Sequence, residues 1–162
     1  MQIAGGRFLV TGGASQIAEH RTGRTEDDMF FESQGGSLIQ SRSTHPEIGE
    51  HVIDTDETRT FRMSTNTLGN GYIECISDST LEAIRDAQPE AMRGTAIEVP
   101  VLEGDGTARI GRFGWKSQHG SLVSFSADAY ANEMGITSPL FPDENTSSGT
   151  FVGFGTEYDP VP

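Results

Sequence analysis

The chain has 162 residues, 24 of them acidic and 11 basic, for a formal charge of −13; so acidic a surface repels phosphate backbones and anionic bilayers, which argues against nucleic-acid binding and membrane attachment. Hydrophobic residues make up only 34 % and glycine fills 20 positions, so a modest core wrapped in turns is expected, with no membrane-spanning run. The single cysteine, Cys75, excludes an internal disulfide and a cysteine-rich metal site.

In chain order, the opening residues Met1 to Arg7 have neither the basic start nor the apolar run of a signal peptide, which read literally implies a cytosolic chain. Phe8 to Thr11 form a β-prone run stopped by Gly12-Gly13. Thr25 to Glu32 are mostly charged, with Phe30 and Phe31 as anchors, and Gly35-Gly36 precede a second short strand from Ser37 to near Arg42. Thr44 to Thr58 are acidic and aperiodic, and read as loop. Ser79-Thr80-Leu81-Glu82 has the spacing of a capping box. It predicts a helix that places Leu81, Ile84 and Ala87 on one face and is closed by Pro89. A second helix is predicted from about Ser121 to Met134, with Leu122, Phe125 and Ala129 at helical spacing and Gly135 as its stop. Beyond Pro139, prolines and a Ser/Gly/Thr stretch predict an extended tail.

Phe8-Leu9-Val10-Thr11-Gly12-Gly13-Ala14-Ser15 resembles the start of a short-chain dehydrogenase nucleotide loop. The later glycines of that pattern are replaced by Gln16 and Ala18, which removes the tight turn and the close approach to pyrophosphate. A Tyr-x-x-x-Lys pair is absent too, since Met134 follows Tyr130 and Ile76 follows Tyr72 at that spacing. His20, His45, His51 and His119 lack metal-ligand spacing and read as surface or hydrogen-bonding histidines. Glu103 with Gly104-Asp105-Gly106 carries too few oxygen ligands for a calcium loop. Cys75, within Ile73 to Ile76, reads as a small core residue.

A longer pattern is more informative. Arg112-Phe113-Gly114-Trp115-Lys116-Ser117-Gln118 is followed by Leu122, Phe125, Ala127-Asp128-Ala129 and Asn132-Glu133-Met134-Gly135-Ile136-Thr137, then by Phe141-Pro142-Asp143-Glu144. This string resembles a block of the bacterial di-haem oxidoreductases often labelled thiol oxidoreductases, which are related to di-haem cytochrome c peroxidases. Gly35 to Ile39 with Arg42, Thr60 to Gly71, Gln88 to Glu103 and Tyr158 to Pro162 extend the likeness over nearly the whole chain.

The resemblance implies a mainly α fold with extensive loops and short β-strands, forming the inter-haem segment of a di-haem cytochrome c-type protein. Residues 1–147 are then one partial domain and 148–162 a tail or linker. The family's two Cys-x-x-Cys-His haem-attachment motifs are both missing here. Haem c is therefore expected in the full-length parent and is not expected to bind this chain covalently, which makes the chain inactive by itself. The parent is expected in the periplasm. Its partners would be the haem-bearing flanks of the same polypeptide and a redox donor protein, with no nucleic acid and no membrane insertion. Three residues are cofactor-side candidates in that parent. Met134 would be an axial thioether ligand to haem iron, or else a filler at the end of the second helix. Trp115 would lie between haems and assist electron transfer, or else be a buried anchor with Lys116 reaching outward. Arg112 would pair with a haem propionate or with a carboxylate of the protein. No residue is assigned a catalytic role. A haem-less acidic binding or structural module is the alternative.

Overall fold

The computed structural model describes residues 8–11, 15–27, 29–31, 36–39, 43, 45–50, 58–63, 65–153 and 155–158. The expectations for Gly12-Gly13, Gly35, Arg42, His51 and Asp159 to Pro162 lie outside these residues. The chain divides into two compact units, Met1–Ser64 with Ala129–Pro162, and Thr65–Asp128.

In the first unit, β1 (Phe8–Thr11), β2 (Ser15–Arg24), β3 (Phe30–Phe31) and β4 (Thr58–Met63) form an antiparallel sheet around β2. β1 pairs with β2 from Phe8 opposite Ala18 to Thr11 opposite Ser15. β4 pairs with β2 from Ile17 opposite Met63 to Thr22 opposite Thr58, and β3 meets Gly23 and Arg24. Ile17, Thr22, Thr58, Thr60 and Phe61 supply the β-branched and aromatic residues that favour such pairing. β1 therefore runs into an antiparallel hairpin, whereas a dinucleotide loop leads from a strand into a helix. Among the described residues of the run expected as a second strand, Leu38 is a bridge residue beside buried Ile39.

The buried apolar residues described in this unit are Leu38, Ile39, Ile48, Ala131 and Val152. Pro46–Ile48 form a 3-10 turn opened by proline. The segment expected as a tail is fastened to it: Ser147 Oγ donates to the Ile48 carbonyl, and the Ser148 amide donates to Glu50 Oε1 at 3.3 Å. Val152 is fully buried.

The second unit contains α1 (Asn70–Glu74), α2 (Asp78–Asp86), the antiparallel pair β5 (Glu98–Pro100) and β6 (Ala108–Ile110), and the start of α3 (Leu122–Met134). α3 ends as expected: Gly135 adopts φ 61° and its amide bonds the Ala131 carbonyl at 3.2 Å, the αL stop that glycine permits. The cap of α2 lies two residues before the predicted one. Ser77, not Ser79, accepts from the Thr80 amide, at 3.2 Å. Ser77→Ala is expected to lower stability by about 1 kcal/mol and Ser79→Ala by much less, read from urea unfolding midpoints.

The sheltered faces also differ from the expected ones. On α2 the partly covered residues are Asp78, Leu81 and Arg85, while Ile84 is exposed. On α3 the buried residues are Ser124, Ala127 and Ala131, while Leu122, Phe125 and Ala129 are only partly covered. Close packing here selects small side chains rather than large ones.

The fold is not mainly α. Among the described residues, three α-helices of 5, 9 and 13 residues stand beside six strands of 2 to 10 residues, and most of the rest is turn and loop. The resemblance weighted the helices, and β2 was missed because its charged and small residues carry no apolar alternation. No helix among the described residues is long and apolar enough to cross a membrane.

Candidate functional site

The residues of the Phe-Gly-Trp-Lys string fold into a closed loop after β6. The Gly111 amide extends the ladder by donating to the Ile97 carbonyl at 2.8 Å. The chain then turns back on itself. The amides of Arg112 and Phe113 both donate to the His119 carbonyl, at 2.9 and 3.1 Å, and the His119 amide donates to the Phe113 carbonyl at 3.2 Å. Gly114 to Gln118 form the tip, braced by Ser117 N to Gly114 O at 3.2 Å and by Lys116 N to Gln118 Oε1 at 3.0 Å. Gly114 (φ 84°) and Ser117 (φ 52°) both occupy the left-handed region. Glycine does so freely, whereas serine must be held there by its surroundings.

The loop stands on a buried base. Phe113 is buried, with its ring centroid 6.4 Å from that of Phe125, and His119 meets Phe125 edge-on at 5.9 Å. His119 Nε2 lies 3.2 Å from Asp128 Oδ2, off the line of a hydrogen bond. The Arg112 guanidinium, with its side chain 2 % exposed, bonds the Ile110, Ile73, Glu74 and Ile76 carbonyls and Asp78 Oδ1. Arg109 Nη2 reaches the Glu74 carbonyl at 2.9 Å and Ile76 at 3.5 Å. The two cations thus cover the carbonyls left open where α1 ends.

The start of α3 is equally well provided. Glu74 Oε1 accepts from the Leu122 amide at 2.7 Å, placing a carboxylate at a helix N-terminus. Ser121 Oγ accepts from the Ser124 amide at 3.1 Å and donates to Ser124 Oγ at 2.8 Å. Ser124, fully buried, donates to Glu103 Oε2 at 2.7 Å and accepts from the Leu102 amide at 3.0 Å. Desolvation raises the pKa of the Glu103 carboxyl, but the nearby Ser121 and Ser124 hydroxyls, its own backbone and the Arg109 charge outweigh it and hold the group below its ordinary value. A depressed folded pKa contributes stability above the ordinary carboxylate range, and that stability is lost as pH falls through the folded value. The melting temperature is therefore expected to fall on acidification below pH ~4.5, and less steeply in Glu103→Gln.

The three candidates from the sequence are placed differently. Trp115 sits at the loop tip, 54 % exposed, so it is not a buried anchor. Arg112 is turned into the base of the same loop, and of its two expected partners the structure shows a carboxylate, Asp78. Met134 ends α3 in the other unit, 40 % exposed. Cys75 is exposed rather than in a core, because it follows α1 at a C-cap that buries no residue. Arg109, Asp78 and Glu74, which complete the base, were not picked out in the sequence. They lie more than 30 residues from their partners, and no local spacing signals such contacts. Among the described residues, no group of three or more His, Cys, Asp or Glu side chains could hold a metal ion.

A family model described as "Di-haem oxidoreductase, putative peroxidase" matches residues 20–154. No curated protein and no solved structure matches the chain. The family match runs from the second half of β2 through the later described strands, α1, α2, α3 and the Trp115 loop, and the chain therefore belongs to the di-haem oxidoreductase family.

Proposed function

We propose that this chain is the inter-haem part of a periplasmic, peroxidase-like di-haem oxidoreductase and has no peroxidase activity by itself. One observation carries the reading: a member of a di-haem family has a single cysteine. Covalent haem attachment takes two thioethers and a histidine in Cys-x-x-Cys-His. Around Cys75 the motif fails in either register, with Tyr72 and Ile76 in one and Asp78 and Ser79 in the other. The exposed Cys75 and its neighbours therefore do not fit a covalently held haem.

On this reading the chain supplies structure around cofactors bound by other parts of the parent. Trp115 is offered by a closed loop, and Met134 is a half-open thioether at a helix end, as cofactor-side residues require. Arg112 faces inward, toward the base of its own loop. The net charge of −13 favours a basic electron-donor protein, because opposite charge steers encounter. Hydrogen peroxide turnover with a dye donor tests the proposal on the purified 162-residue chain supplied with free haem. Turnover no faster than that of free haem is expected; saturable, enzyme-dependent peroxide reduction would refute it.

A further inference from the structure

We propose that Arg112 is a positioning residue for Trp115: its guanidinium locks the base of loop 111–120 to the α1–α2 junction, and this fixes the indole at the tip. The indole is half exposed, so its own packing does not hold it. Its orientation must come from the loop backbone. That backbone is closed at the Phe113–His119 bridge, and Arg112, the residue immediately before the bridge, is tethered twice. Its amide bonds the His119 carbonyl at 2.9 Å. Its Nε bonds the Ile110 carbonyl at 3.1 Å, Nη1 bonds Ile76 at 2.6 Å, and Nη2 bonds Asp78.

A guanidinium is suited to this task because its rigid planar fork carries five N–H donors spread over three nitrogens, whereas an ammonium carries three on a single nitrogen. Gly114 and Ser117, both at positive φ, then aim the tip; glycine adopts that backbone freely, but at Ser117 it persists only where its surroundings enforce it. The cation offered outward is Lys116, the sole lysine of the chain. It is exposed and makes no ion pair with the other described residues. Arg112 and Lys116 thus divide the work of one short loop, one cation holding it and the other free at its end. The value of a fixed indole rests on the function proposed above, but the test uses no haem and fails or succeeds separately.

Trp115 is the only tryptophan, so its fluorescence reports the tip alone. In the full chain, Arg112→Gln is expected to lose the slow component of the Trp115 anisotropy decay and to become more open to acrylamide quenching. Its far-UV circular dichroism should persist. Arg112→Lys should be intermediate, since one ammonium satisfies part of the cradle. Lys116→Met should leave the decay unchanged. An unchanged decay in folded Arg112→Gln would overturn the proposal, as would equal loss in Lys116→Met. Where Arg112→Gln does not fold, Asp78→Asn keeps the guanidinium but weakens one contact. It should give a smaller loss in the same direction, and no loss would overturn the proposal.

Discussion

Gly111→Ala is expected to destabilise the chain by at least about 3 kcal/mol, the upper end of what overpacking costs, seen as a large fall in the urea unfolding midpoint. A Cβ built on Gly111 lies 1.8 Å from the Ser117 carbonyl oxygen and 3.0 Å from its carbon. Both are backbone atoms of the loop tip, so no side-chain rotation relieves the clash. Either the Gly111 bond to Ile97 or the positive-φ turn at Ser117 must yield. Gly71→Ala is the control. Gly71 lies inside α1, and an added Cβ meets nothing within 4 Å. Alanine there is expected to stabilise by about 0.5–1 kcal/mol, the helix-propensity difference. A Gly111→Ala midpoint equal to that of the native chain would mean that the loop does not close on Gly111.

Arg112→Ala is expected to cost about 2–4 kcal/mol. Removing one partner of a buried ion pair typically costs 3–5 kcal/mol, because the remaining charge and acceptors lose their solvation. Two features reduce this. The Asp78 side chain is 35 % exposed, so water screens it once the arginine is gone. Arg109 already bonds the Glu74 carbonyl and approaches Asp78 Oδ1 at 3.9 Å, so it partly takes over. Arg109→Ala alone should therefore cost less than Arg112→Ala, and the double variant more than the sum of the two. Urea titration of the three variants measures the coupling. Strict additivity would show that the two guanidiniums do not share the carbonyls.

How far the sequence reached follows from the range of the interactions. β1, the end of α3 and the glycine stop at Gly135 were legible, because each depends on neighbouring residues: a β-prone run, a helical pattern, and a residue free to adopt positive φ. The cap of α2 was misplaced because Ser77 and Ser79 have the same chemistry, and only the backbone decides which one reaches the Thr80 amide. The α2 and α3 faces were misjudged by assuming that large apolar residues turn inward, whereas Ser124, Ala127 and Ala131 permit the closer approach. The central strand β2 is specified by pairing with β4, some forty residues away, and its own residues show no clear alternation. The importance of the Trp115 region was visible as a family string, but its form was not. A loop whose base depends on Arg112 meeting carbonyls more than thirty residues earlier has no local signature.

The most direct test of the central claim is the intact mass of the native protein from its source, with haem staining of the same band. A species heavier than 17.5 kDa that stains for haem is the expected result, with this sequence as its inter-haem part. A haem-negative species of 17.5 kDa would contradict it and favour a haem-less acidic binding module.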